Sequence, residues 1–124
     1  AIVLPIDLSI GSHIIPFGFA EDLESARQQI LSPKVTMGLK LHNYTQPDEF
    51  DVSVNNQLLP TETRTAQAQY IMDNFTWITY PLLPEVLNNG ENELKVDVKH
   101  LNPGIEGAPR LDHVEIHVRY NNLV

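Results

Sequence analysis

Cysteine is absent from the 124 residues, which excludes disulfides and Cys-ligated zinc while leaving the compartment open. Long apolar runs are also absent: nothing approaches the roughly 18 residues that would span a membrane as a helix. The apolar opening, residues 1–10, is short, lacks a basic leader and contains Pro5, so it reads as a strand. Basic residues are few, eight Lys and Arg against sixteen Asp and Glu, for a net charge of −8. Scattered along the chain, they argue against nucleic acid, which needs clustered cations. Helical periodicity is confined to residues 20–31, where Leu23, Ala26 and Ile30 fall at three- and four-residue spacing and Pro33 is the expected stop. No G-x-S-x-G elbow or cysteine nucleophile is present, and Ser9 and Ser12 near His13 form no recognised triad.

What is present is ordinary globular composition. The 42% hydrophobic content argues against disorder, and the length suits one domain, residues 1–124, able to bury a core. The chain opens on Ala1 rather than Met, so it is expected to be a fragment or processed part of a larger protein. Two sequons, at Asn43 and Asn74, give slight support to an extracellular or secreted setting, since about one is expected by chance among ten asparagines.

The main pattern is alternation with a period of two. Val35, Met37, Leu39 and Leu41 oppose Thr36, Lys40 and His42; Phe50, Val52 and Val54 oppose Asp51 and Ser53; Leu94, Val96 and Val98 oppose Lys95, Asp97 and Lys99. Such alternation is what a strand with one wet and one dry face requires. Residues 2–10 and 75–82 add strands, 70–72 a further candidate, and 111–120 a last strand with Val114, Ile116, Val118 and Tyr120 inward. Residues 13–19, broken by Pro16 and Gly18, suit a loop or short edge strand, and residues 60–69 a long loop. Asn55-Asn56 tolerates the left-handed backbone of a tight turn into Gln57. About eight short strands with turn signals between them predict an all-β, antiparallel sandwich carrying one short helical segment.

Three pieces carry a resemblance. Phe50 to Leu58 is similar to a strand running into an "LNG" turn, with Asn56 in place of the usual Gly. Trp77 to Val98 resembles an aromatic strand followed by "L…GEN.L.V.V", matched at Gly90-Glu91-Asn92, Leu94, Val96 and Val98. The closing strand Val114 to Tyr120 is the third. Together, over about half of the chain, they look like the galactose-binding-like jelly-roll superfamily, found in sugar-binding domains and in accessory sandwiches of glycoside hydrolases. The resemblance implies a jelly roll that binds glycans or other ligands, or braces a catalytic neighbour. Its motifs are turn punctuation and carry fold rather than function.

Trp77, the only tryptophan, is either a platform for a sugar ring or, the preferred reading, a plug of the core. Tyr70 and Tyr80 lie near it in the chain, and Tyr44 is the aromatic expected to be most exposed. A cluster of planar polar groups for sugar recognition is available in His100, Asn102, Glu106 and Arg110 around the C-terminal loop, with Arg64 and Gln69 from the middle loop. The alternative is that this loop only closes a hairpin. The outward row His113, Glu115, His117 and Arg119 is too extended for one metal, since His113 and His117 sit about 13 Å apart on a straight strand. It reads instead as a solvated face cross-paired with Lys95, Asp97 and Lys99. Glu21, Asp22 and Glu24, or Asp48 and Asp51 with Asn43, could supply oxygens to a structural calcium, a type of site that sandwiches resembling this one often carry. No D-x-D-x-D-G loop is present, and solvated acidic turns are the simpler reading.

The expectation is therefore a non-catalytic accessory domain that binds glycan weakly through end loops, needs no cofactor and adjoins other domains of a larger protein. The alternative is a structural or protein-interaction module with no small-molecule ligand, in contact through its polar outward face. A small hydrolase or lyase whose residues converge only in space is the third reading.

Overall fold

The computed structural model of the chain describes residues 4–20, 31–69, 75–104 and 107–122. Among these, nine strands form two antiparallel sheets. They are β1 (Ile6–Asp7), β2 (Gly11–Phe19), β3 (Leu31–His42), β4 (Glu49–Val54), β5 (Gln57–Leu58), β6 (Thr65–Gln69), β7 (Phe75–Leu82), β8 (Gly90–His100) and β9 (Arg110–Asn122). One sheet runs β1-β9-β3-β7-β6 and the other β2-β8-β4-β5. β1 pairs with β9, β2 with β8 and β3 with β7, so the chain is a long ribbon wrapped across both sheets, as in a jelly roll.

Alternation supplies the core. Met37, Leu39 and Leu41 of β3 and Ile78 and Tyr80 of β7 meet Val52 and Val54 of β4 and Leu94 and Val96 of β8, all essentially without solvent contact. Each such aliphatic side chain contributes roughly 1.5–3 kcal/mol through burial. The β4–β5 turn uses left-handed backbone at both Asn55 (φ 51°) and Asn56 (φ 66°), the geometry that a two-residue hairpin matched to strand twist demands. Gly90 opens β8 at φ 114°, a conformation other residues resist.

Beside these turns lies a buried amide network. Asn92 Oδ1 accepts from the Asn88 backbone N–H at 2.7 Å and from Asn55 Nδ2 at 2.8 Å, while its Nδ2 donates to the carbonyls of Asn88 (2.9 Å) and Gly90 (3.3 Å). Asn55 also donates to Val86 O and accepts from the Glu93 N–H. The GEN segment thus fixes the β7–β8 connection onto the β4–β5 hairpin. With both amides occupied, burying Asn92 carries no unsatisfied polar group.

Of the two readings of residues 13–19, the edge strand is the one found, as part of the nine-residue β2. Other expectations change. The supposed loop at 60–69 contains a single 3₁₀ turn at Thr61–Thr63 and then β6, whose Thr-Ala-Gln-Ala-Gln sequence has no apolar row to announce it. Pro33 sits buried inside β3 rather than ending a helix. Its strand meets β7 only from Val35 onward, which leaves one side open for a residue without an N–H. Tyr120, expected inward, is 40% exposed, whereas Val114, Ile116 and Val118 pack against the core. The helical stretch, apart from its ends, and the candidate strand at 70–72 lie outside the described residues.

Candidate binding face

β9 and β8 belong to different sheets, so the row His113, Glu115, His117 and Arg119 cannot pair with Lys95, Asp97 and Lys99. The pattern showed which residues share a face but not which strand lies beside it. On β3 the partners are instead Lys40 for His113, Gly38 for Glu115, Thr36 for His117 and Lys34 for Arg119. β7 continues the same outer face with Trp77 opposite Lys40.

Trp77 is half-buried and outside the core, which corrects the preferred reading from sequence. Inward positions on β7 belong to Thr76, Ile78 and Tyr80, so Trp77 must point outward. A Cβ placed on Gly38 would come within 3.2 and 3.3 Å of Trp77 Cε3 and Cζ3. The indole therefore lies against the Gly38 backbone, and Gly38 is buried although it belongs to the outer face. Phe75 and His113 stand nearly perpendicular to the indole, at interplanar angles of 87° and 84° and centroid distances of 6.5 and 6.3 Å. Lys40 Nζ sits 4.2 Å above the Phe75 ring. Glu115 lies between two imidazoles, 3.3 Å from His113 Nε2 and 2.8 Å from His117 Nε2.

Farther along, β9 makes a bulge opposite Lys40 and Leu41 that brings Asp112 beside His42 and Arg110. Arg110 grips Asp112 with Nε (2.5 Å) and Nη2 (3.3 Å), and His42 Nδ1 contacts the same carboxylate. The Arg110 hydrogen bond is the main reason that the Asp112 carboxyl is held below its ordinary range, with the charge of His42 adding to it. The face thus combines a flat aromatic surface with fixed polar groups, an arrangement suited to binding a polar ring.

The residues expected to bind sugar do not form one cluster. Trp77 and Arg110 share this outer face. Arg64 instead ties the two sheets together: its Nη1 donates to Tyr80 Oη (3.0 Å) and Phe50 O (3.3 Å), and its guanidinium stacks 4.6 Å from the Phe50 ring. Burial raises the Tyr80 pKa despite the opposing influence of Arg64. Asn102 is also committed to structure, its N–H donating to Asp48 Oδ1 and its amide to Thr45 Oγ1. His100 is exposed at the end of β8 opposite Glu49. Tyr44 is half-buried, packed edge-on against Phe50 at 5.9 Å, and so is not a freely exposed aromatic. Tyr70 and Glu106 lie outside the described residues, as do Glu21, Asp22 and Glu24, and the side chain of Gln69 is not described.

Of the other calcium candidates, buried Asp48 accepts from the N–H groups of Thr45 and Asn102, one on each oxygen, and caps the turn between β3 and β4. Asp51 belongs to the outer face of the four-stranded sheet, opposite Asp97, and Asn43 reaches toward Gly107 O. Among the described residues no group of three or more His, Asp or Glu is placed to hold a metal ion. No described helix is long and apolar enough to cross a membrane.

Sequence reasoning missed Lys40, Phe75 and Gly38. Their signal was the outward parity of β3 and β7, which acquires meaning only once those strands are known to be neighbours. Searches of family models, curated proteins and solved structures find no match for the chain.

Proposed function

We propose that this chain is a non-catalytic β-sandwich accessory domain that binds carbohydrate, on the outer face of its five-stranded sheet rather than through its end loops. The observation that carries this reading is the Trp77 indole lying on Gly38, flanked by Phe75 and His113 with Lys40 alongside. A pyranose ring stacks on such a surface through its C–H face while its hydroxyls reach the flanking polar groups. The reading needs no cofactor. It fits a secreted, multidomain setting and a relationship to the galactose-binding-like superfamily, both of which belong to the proposal.

Trp77 is the only tryptophan, so its fluorescence reports directly on the site. Titration with a panel of soluble glycans, with calcium and with chelator, should change Trp77 emission for at least one glycan and raise the thermal midpoint, because a ligand of the folded state stabilises it. Loss of binding in Trp77→Ala supports the sheet face. Binding retained in Trp77→Ala but lost in His100→Ala would place the ligand at the end loops instead.

A second reading is a protein-interaction module. It is favoured by Ile10 and Ile14, 59% and 46% exposed, with Ile14 on the open edge strand β2. It predicts no response to any glycan and a partner lost on Ile14→Lys.

A further inference from the structure

The outer face of the five-stranded sheet has a charge balance unlike the rest of the chain. Among the described residues, four of the seven Lys and Arg lie on it, Lys34, Lys40, Arg110 and Arg119, against three of the eleven acids, Asp7, Asp112 and Glu115. Three of the five histidines, His42, His113 and His117, lie there as well. The basic residues that look scattered in sequence are therefore concentrated by the fold.

Their placement also works against the sheet. Lys34 faces Arg119 directly across β3 and β9, while the imidazoles of His113 and His42 stand opposite Lys40 and Arg110. Like charges opposite one another on neighbouring strands destabilise a sheet. At one end Asp112 contacts both Arg110 and His42, and in the middle Glu115 lies between His113 and His117. No described carboxylate is paired in this way at the far end. Among the described residues, neither Lys34 nor Arg119 forms an ion pair, and with Thr36 and His117 they line an open recess of 550 Å³. Lys34 lies six positions along β3 from Lys40, the position opposite Trp77, a span of about 20 Å.

Building on the proposed carbohydrate-binding function, we propose that the ligand is an acidic oligosaccharide, one sugar stacked on Trp77 and a carboxylate or sulfate farther along the chain seated between Lys34 and Arg119. The distance requires an oligomer rather than a monosaccharide. An anion in the recess removes the repulsion between the two cations, so the rung that weakens the free protein strengthens the complex. The aromatic surface favours a sugar over an acidic peptide, for which charge alone would suffice.

The test is calorimetric titration of the whole chain with oligogalacturonate, with its full methyl ester, and with a sulfated oligosaccharide of similar length. At about 0.05 M salt at least one of the two acidic sugars should bind about tenfold or more tighter than the neutral ester, and the advantage should shrink at about 0.5 M salt as the charges are screened. The oligogalacturonate and sulfated arms identify which anion is preferred. In Lys34→Gln/Arg119→Gln the preferred acid should bind no better than the ester, while the thermal midpoint of the free protein does not fall, which separates lost recognition from lost folding. Equal affinity for acid and ester would overturn the inference and leave the carbohydrate reading intact. Binding of none of the three sugars would overturn the inference and count against that reading as well. Polyglutamate or single-stranded DNA binding as tightly as the acidic sugar would also overturn it, because the face would then be reading charge and not sugar.

Discussion

The Asn55–Asn92 network and the Trp77 face both place polar or aromatic side chains where a simple sandwich needs none, yet they differ in where those groups are satisfied. At the network, each amide meets backbone or amide partners inside the protein, and Asn92 is only 4% exposed. At the face, Lys34 opposes Arg119 and an indole lies half-open on a glycine. The first arrangement is what stability alone produces. The second accepts local repulsion at Lys34 and Arg119 and leaves ring and charge available to a ligand. Where the polar contacts close among themselves the region is scaffold; where they remain open the region is the better candidate for function.

The contrast predicts opposite consequences for substitution. Asn92→Ala removes the four hydrogen bonds of a buried amide and leaves their part-buried partners unpaired. It should cost about 2–4 kcal/mol in denaturant unfolding, with glycan affinity per folded molecule unchanged. Trp77→Ala should cost less, about 1–2 kcal/mol for a half-buried outer-face side chain, and should abolish glycan binding. If the two variants exchanged these effects, the distinction between scaffold and binding face would fail.

Asp112 tests the end of the face where charges do close. Its pKa is lower in the folded protein than the ordinary 3.8, so its stabilising contribution is fully present above that value and is lost as pH falls through the depressed folded value. The stability difference between wild type and Asp112→Asn should therefore be about 1 kcal/mol or less near neutrality and vanish in strong acid. Urea unfolding at several pH values measures it, and a gap that widens on acidification would contradict the assignment.

The smallest effect has the reverse sign. Arg119→Glu turns the repulsive rung with Lys34 into an attractive one and should stabilise the free protein by about 0.5 kcal/mol while eliminating the preference for acidic sugar. A destabilised Arg119→Glu would mean that Arg119 already has a compensating partner.

Much of the scaffold was legible in the chain. Alternation in residues 34–42, 50–54 and 94–98 marked the core sides of β3, β4 and β8, and Asn55-Asn56 marked the hairpin, because period and positive φ are local properties. β6 was not legible, since its Ala66 and Ala68 lie exposed and its order comes from backbone pairing with β7. Trp77 was ambiguous because β7 carries aromatics on both parities, with Phe75 and Trp77 outward and Tyr80 inward. The face itself was hidden for a third reason: it is assembled from β3, β7 and β9, and no local pattern says that these three strands are neighbours.

The most direct test of the binding face is two-dimensional NMR of the labelled protein during glycan titration, following the Trp77 indole and backbone amides together. Shifts concentrated at Trp77, Phe75, Lys40 and His113, extending to Lys34 and Arg119 with an acidic sugar, are the predicted result. Shifts concentrated at His100, Asn102 and Gly104, with Trp77 unmoved, would contradict it and return the site to the end loops.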